Sequence, residues 1–218
     1  MNIFSNNSLL GRFLNLTADI FILNIIWLIC SLPIITIGAS TTALYYAIMK
    51  RQRSGEGYVV KNFFTSFKLN FKQSTLIWII MLCAGFIIEL DLRIGISSPG
   101  IIGKLMVFSS IFLFIPYSFI LIYIFPVQAK FDNPIFTNIK NSLLIAIAHF
   151  GYTILNVIFF LIFIALAIKS TMFLGIVILL GFSLYAFITG NTYITIFRKY
   201  VPEEIKKDAE ASGIDFID

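Results

Sequence analysis

Long runs without Asp, Glu, Lys or Arg alternate along this chain with short charged segments. A helix that crosses a bilayer needs about 20 apolar residues, and the runs reach or approach that length. Because backbone polar groups cannot stay unpaired in lipid, we expect the runs to be helical. The pattern predicts an all-α, polytopic membrane helix bundle, a single transmembrane domain over residues 1–200 with five spans at 19–46, 73–90, 102–126, 142–168 and 171–197.

The first run is too long for one straight span, and Pro33 and Gly38 interrupt it. Proline removes a hydrogen-bond donor and clashes with the preceding turn, so the helix should break or bend there. Two interpretations remain open. Either one broken span reaches Tyr46, or residues 38–49 form a separate helix that is too short to cross alone. We favour the single broken span.

The composition excludes a soluble globule. Hydrophobic residues make up 59% of the chain and charged residues 12%, whereas soluble domains average roughly 45–50% and about 25%. The two cysteines lie in apolar runs and there is one histidine, so a multi-ligand metal site is not expected. The sequence holds no Ser/His/Asp set, HExxH motif or phosphate loop, and we expect neither enzyme activity nor a cofactor.

Lysine and arginine are unevenly distributed over the five-span arrangement. The segments after the first, third and fifth spans carry most of them, and the opposite side holds only Arg12, Arg93, Lys104 and Lys169. Because cytoplasmic segments carry the excess of basic residues, the N-terminus is expected outside and the short tail 201–218 in the cytoplasm. The net charge of +5 then faces anionic lipid headgroups, and no nucleic acid partner is expected.

Residues 61–73 read KNFFTSFKLNFKQ, a pattern typical of an amphipathic helix at the cytoplasmic membrane interface. At 3.6 residues per turn its lysines share one arc and its phenylalanines a neighbouring one. The segment is either a membrane-anchoring elbow without a partner or a coupling helix that docks on a cytoplasmic protein. The side chains concerned are Lys61, Lys68, Lys72, Phe63, Phe64, Phe67 and Phe71.

Polar residues inside the spans are candidate functional groups because charge and polarity are costly in lipid. Glu89 is the deepest acid; it is either linked to a proton or cation, or paired at the headgroups with Arg93. Asn24, Asn156 and Asn191 lie in three different spans. They either form interhelical hydrogen bonds, worth about 0.6 kcal/mol on average, or line a polar ligand cavity.

A short echo raises the question of an internal repeat. Residues 64–68 read FTSFK and residues 136–140 read FTNIK, and each segment follows one predicted span and precedes another. Parallel repeats of this kind occur in transporters. Chance and duplication both explain three matching residues.

Residues 24–46 read NIIWLICSLPIITIGASTTALYY, and GEGY at 55–58 leads into FFTSFKLNFKQ at 63–73. Over roughly residues 10–90 the chain resembles the YesL-like family of bacterial integral membrane proteins, whose biochemical activity is unknown. Its members are often encoded beside sugar-uptake transporters and polysaccharide-degrading enzymes. The resemblance implies a bacterial cell membrane and a setting of carbohydrate utilisation, and it supplies no catalytic or binding residues.

Three functional hypotheses follow. The first is an accessory component of carbohydrate (oligosaccharide) uptake that acts through its basic cytoplasmic loop and tail, with sugar ABC-transporter subunits as candidate partners. The alternative is a small stand-alone secondary transporter with a polar cavity between its helices. The third is a purely structural membrane organiser. Substrate, partner and oligomeric state do not follow from the sequence.

Overall fold

The computed structural model describes residues 9–55, 57–169 and 171–201, and within these ranges the chain is helical and has no strand. Five segments are long and apolar enough to cross a membrane, namely Gly11–Ser31, Val59–Ser97, Gly100–Lys130, Phe150–Lys169 and Phe173–Arg198. The predicted all-α, polytopic bundle is therefore confirmed. The predicted tail after Val201 lies outside the described residues.

Eight α-helices follow one another in the described part of the chain. They are α1 (Leu9–Ser31), α2 (Ile37–Ser54), α3 (Val59–Ser97), α4 (Gly100–Lys130), α5 (Ile135–Ala148), α6 (Phe150–Lys169), α7 (Thr171–Ile176) and α8 (Phe182–Arg198). A 3-10 turn, Ile34–Thr36, joins α1 to α2, and a π-helical segment, Val177–Gly181, joins α7 to α8.

The chain breaks at Pro33 as predicted, but it then reverses direction. Arg51 Nε of α2 donates to Asp19 Oδ2 of α1 at 2.8 Å, and Trp27 Nε1 donates to Thr41 Oγ1 at 3.2 Å. Residue numbers rise along α1 while those of their partners fall along α2, so the two helices are antiparallel. The structure thus replaces the favoured single span over 19–46 with a span that ends at Ser31 and a separate returning helix.

Helix α2 lies at the centre of the bundle. Ala39, Ala43 and Ala47 are fully buried in it, and small residues allow helix backbones to approach closely. Its polar side chains are also enclosed: Ser74 of α3 donates to Thr42 Oγ1 at 3.0 Å. Because neighbouring helices cover these polar groups, α2 does not need the apolar surface that a lipid-facing span requires.

The C-terminal ends of α2, α4 and α8 meet at one end of the bundle, here called the basic end. The cations around the cavity at this junction are Lys50, Arg53, Lys130 and Arg198. The contact between Asp19 and Arg51 places the N-terminal half of α1 at this end too. The start of α1 and the end of α8 therefore lie at the same end of the bundle. The five-span prediction required them to lie at opposite ends. The reason is the returning helix α2, which the hydropathy pattern did not separate from the first span.

Residues 61–73 are not a separate interfacial helix, because they form the first half of α3. This helix has 39 residues and a length of about 58 Å, which exceeds the roughly 30 Å of the hydrocarbon core. Asn62, Phe63 and Ser66 are buried in this segment, so it packs against the bundle as part of the same helix as the apolar half. Beyond Met81, α3 pairs mainly with α4.

The predicted span 142–168 is divided between two helices. Helix α5 ends before His149, whose φ of −116° and ψ of 44° are not helical. The hydroxyl of Thr153 donates to the carbonyl of Ala146 at 2.8 Å and so satisfies one of the open carbonyls at this end. The fourth span is therefore Phe150–Lys169. In an internal repeat, α5 and α6 together would correspond to α3. Because α3 is unbroken whereas the α5–α6 segment is divided at His149, the fold adds no support for a repeat.

Candidate functional site

Glu89, the acid favoured from the sequence, lies on the exposed tip of the α3–α4 pair. It accepts a hydrogen bond from Arg93 Nε one turn later at 2.6 Å, and 47% of its side chain is exposed. A paired and exposed carboxylate is not the buried group that ion coupling needs. The geometry supports the pairing with Arg93 that was the other interpretation.

Asp91 makes the contacts that Glu89 lacks. Its Oδ2 accepts hydrogen bonds from Ser109 Oγ at 2.9 Å and Ser110 Oγ at 2.7 Å, both on α4. Ser110 is 1% exposed. The carboxylate therefore joins the two helices of the tip. Sequence reasoning missed this link, although two adjacent serines in an apolar run were a signal for it.

We expect Glu89→Gln to leave the thermal unfolding midpoint of the detergent-solubilised protein almost unchanged. Exposed ion pairs contribute about 0–1 kcal/mol, and the amide keeps a polar partner for Arg93. Asp91→Ala should instead lower the midpoint, because it strips two serine hydroxyls of a charged acceptor, a loss of about 1–3 kcal/mol. A larger effect at Glu89 than at Asp91 would contradict this assignment.

The three asparagines do not line a common cavity. Asn24 is fully buried and forms hydrogen bonds with backbone groups of the π-helical segment and of the first turn of α8. Asn156 is 1% exposed and donates to the hydroxyl of Tyr193 at 3.3 Å. Asn191 lies on the exposed face of α8. Asn24 and Asn156 therefore form hydrogen bonds to other helical segments. This arrangement favours the hydrogen-bond interpretation over a polar ligand cavity.

A cluster of tyrosines occupies the centre of the bundle. Tyr193 is fully buried, donates to the carbonyl of Ile122 at 3.1 Å and packs edge-on against Tyr45 and Tyr123. These residues act as hydrogen-bonded packing. The sequence alone does not reveal this cluster, because its tyrosines come from three helices that are distant along the chain.

Among the described residues, no three His, Cys, Asp or Glu side chains come together in a way that could hold a metal ion.

The first half of α3 presents an exposed surface that combines lysines with aromatic side chains. Phe63 differs from the prediction because it is fully buried, and Phe67 is half-buried against the core. The side chains that remain exposed form what we call the basic–aromatic face: Lys61, Phe64, Lys68, Phe71 and Lys72.

Amide side chains fix the base of the basic–aromatic face to its neighbours. Gln73 Nε2 donates to the carbonyl of Asn133 at 2.5 Å. Gln128 of α4 donates to Asn70 Oδ1 at 3.2 Å and accepts from Asn138 of α5 at 2.6 Å. These hydrogen bonds join α3, α4 and α5 at the point where the apolar half of α3 begins. The face is held on a rigid support, which suits a recognition surface.

Comparison with known proteins finds relatives whose function is unknown. A family model described as a protein of unknown function, DUF624, matches residues 20–92. The chain is also 31% identical over 136 residues to the uncharacterized protein YteU of Bacillus subtilis (strain 168). That alignment covers 60% of each chain, so this sequence spans less than two thirds of its curated relative.

No solved structure matches this chain significantly. The family match covers about half of α1, all of α2 and most of α3. Helices α2 and α3 carry the central packing and the basic–aromatic face. DUF624 corresponds to the YesL-like family, and the resemblance predicted from residues 24–73 is thereby confirmed. The protein is a helical membrane protein related, through residues 20–92, to the DUF624 family of unknown function.

Proposed function

We propose that this protein is an accessory component of a bacterial carbohydrate-uptake system and acts by binding a partner, not by catalysis. The basic–aromatic face is the observation that carries the proposal. It exposes three lysines beside two phenylalanines on a helix that buried contacts hold in place. The carbohydrate setting rests on the resemblance to the YesL-like family alone.

The length of α3 supports a partner outside the lipid. If the apolar half begins at Gln73, the segment from Val59 to Lys72 extends about 20 Å beyond it. Anionic headgroups attract basic residues only within about one Debye length of the surface. Lys72 is then near the headgroups, whereas Lys61 is beyond them. A protein surface with acidic groups and an apolar groove, such as a subunit of a sugar ABC transporter, fits the whole face.

In this proposal the basic end faces the cytoplasm of the bacterial plasma membrane. The excess of lysine and arginine at the ends of α2, α4 and α8 follows the rule for cytoplasmic segments. The N-terminal half of α1, with Arg12, then lies on the cytoplasmic side as well.

A stand-alone transporter has less support. Such a protein needs polar or charged groups around a shared cavity between its spans. Here Asn24 and Asn156 are engaged in separate hydrogen bonds, Asn191 points away from the bundle, and Glu89 pairs with Arg93 on the surface.

We expect the double variant Lys68→Glu, Lys72→Glu to lose its partner. Reversing two charges at an interface changes attraction into repulsion, and we expect recovery of the partner to fall by about tenfold or more. The measurement is affinity purification from native membranes in mild detergent, followed by quantitative mass spectrometry. The matched control, Lys104→Glu with Lys169→Glu, makes the same charge change away from the face. Equal losses in both variants, or a wild-type protein that purifies alone, would contradict the proposal.

A further inference from the structure

The acidic residues of this chain are concentrated in the segment that follows α8. Residues 202–218 read PEEIKKDAEASGIDFID and contain six of the eleven Asp and Glu residues. They contain only two of the sixteen Lys and Arg residues. The segment therefore carries a formal charge of −4, whereas the chain as a whole carries +5.

The lysines of the basic–aromatic face form no ion pair with an acid in the described ranges. Asp19 pairs with Arg51, and Glu89 pairs with Arg93. Asp91 accepts hydrogen bonds from two serines of α4. These acids are engaged elsewhere, so three positive charges lie beside two exposed phenylalanines without a negative group from the helices around them.

Residues 214–218, IDFID, match this face in charge and in apolar character. Their two aspartates enclose one aromatic and one aliphatic side chain. On α3, Phe71 lies within one helical turn of both Lys68 and Lys72. Residues 203–210 fit less well, because two lysines interrupt their acids and would repel the lysines of the face.

The end of α8 lies close enough for this segment to reach the face. Phe197 of α8 packs against Phe131 with ring centres 5.3 Å apart, and Gln73 of α3 donates to the carbonyl of Asn133 in the same connection. Fourteen residues lead from the last described residue to Asp215. A chain of that length reaches up to about 46 Å, whereas the lysines of the face extend over about 17 Å of α3.

We propose that residues 214–218 dock on the basic–aromatic face of their own chain. Their aspartates pair with Lys68 and Lys72, and Phe216 packs beside Phe71. Each ion pair is weak because it is exposed to water. The segment is tethered to the face, however, so its effective concentration is on the order of millimolar and weak contacts suffice.

The docked segment competes with the partner proposed above, and this consequence rests on the proposed function. Asp215→Asn with Asp218→Asn removes the competitor's charges and should raise recovery of the partner in the affinity purification by about threefold or more. Glu203→Gln with Glu204→Gln makes the same charge change elsewhere in the acidic segment and should leave recovery within about twofold.

Docking itself is tested without a partner, by carbodiimide crosslinking of the purified full-length protein in neutral detergent. The reagent joins a carboxylate and an ammonium that are in contact through an amide bond. Mass spectrometry of an equal mixture of unlabelled and ¹⁵N-labelled protein should find Asp215 and Asp218 joined to Lys68 or Lys72 within one chain. The yield should fall by about fivefold or more in Phe216→Asn, which keeps every charge and changes no described residue.

Lys140 is the control for reach, because it is exposed on the neighbouring α5. The inference fails if the aspartates join Lys140 as often as Lys68 and Lys72, or if no crosslink forms. Crosslinks between labelled and unlabelled chains would assign the face to a second copy. Loss of the crosslinks when phosphatidylglycerol replaces phosphatidylcholine in nanodiscs would assign it to lipid headgroups. Either outcome overturns docking within the chain.

Failure of this inference is distinguishable from failure of the proposed function. Crosslinks within one chain from a protein that purifies alone would remove the proposed function and leave the docking in place. A partner whose recovery depends on Lys68 and Lys72, without any crosslink, would do the reverse.

Discussion

Gly38→Ala is expected to destabilise the protein, because the added methyl group would clash with α3 in the core of the bundle. A Cβ at Gly38 would lie 2.5 Å from the carbonyl oxygen of Ser74 and 2.6 Å from the Cβ of Trp78. Both atoms are fixed close to the backbone of α3, and Phe125 closes a third side at 3.2 Å. The methyl group can be accommodated only if α2 and α3 move apart, and overpacking of this kind costs typically 1–3 kcal/mol.

The measurement is the thermal unfolding midpoint of the detergent-solubilised protein, read by size-exclusion chromatography after heating. Gly151→Ala is the matched control, because Gly151 is also helical and its added Cβ has no neighbour within 4 Å. Alanine is favoured over glycine in helices by about 1 kcal/mol, so the control should be neutral or slightly stabilising. If both variants unfold at the wild-type temperature, the close contact between α2 and α3 is not a determinant of stability.

The parts of this fold that could be predicted from sequence depend on local physics. Charge-free runs of sufficient length identify spans because lipid enforces backbone pairing within each segment. The break at Pro33 follows from the missing amide hydrogen of proline, which acts on its own helix. The number of spans and the break at Pro33 therefore agree with the structure, whereas the bounds of the first and fourth spans do not.

The direction of the chain after that break is not a local property. Residues 37–54 look like a weak continuation of the first span, and only the cover provided by α3, α4 and α8 shows why a helix with Ser40 and Thr42 can be central. The same limit applies to the acids. Glu89 and Asp91 are two residues apart, but only Asp91 faces the serines of α4.

The asparagines show this limit within a single residue type, and they provide the second prediction. We expect Asn24→Leu to destabilise the protein strongly and Asn191→Leu to have little effect. Asn24 is fully buried, whereas Asn191 is exposed on α8. The two substitutions are chemically identical, so a difference between their unfolding midpoints measures what the buried amide contributes.

The amide of Asn24 completes the backbone of another helix. Its Nδ2 donates to the carbonyl of Ile178 at 2.8 Å, and its Oδ1 accepts from the backbone N–H of Ser183 at 3.0 Å. These two groups are five residues apart, the spacing that a π-helix pairs. Ile178 lies within the π-helical segment Val177–Gly181, and Ser183 lies just after it. Leucine would leave both without this partner. An unsatisfied buried group costs about 1–3 kcal/mol, more than an average interhelical hydrogen bond in a membrane protein.

Hydrogen exchange at the backbone amide of Ser183 separates the two ways in which the bundle can respond. If Asn24 is the partner of this amide, exchange should accelerate in Asn24→Leu and stay slow in Asn191→Leu, in parallel with the change in unfolding midpoint. An unchanged midpoint with slow exchange would mean that the carbonyl of Ile178 and the amide of Ser183 pair directly in the variant. In that case the π-helical segment is stable by itself, and the side chain of Asn24 is not needed to satisfy its backbone groups.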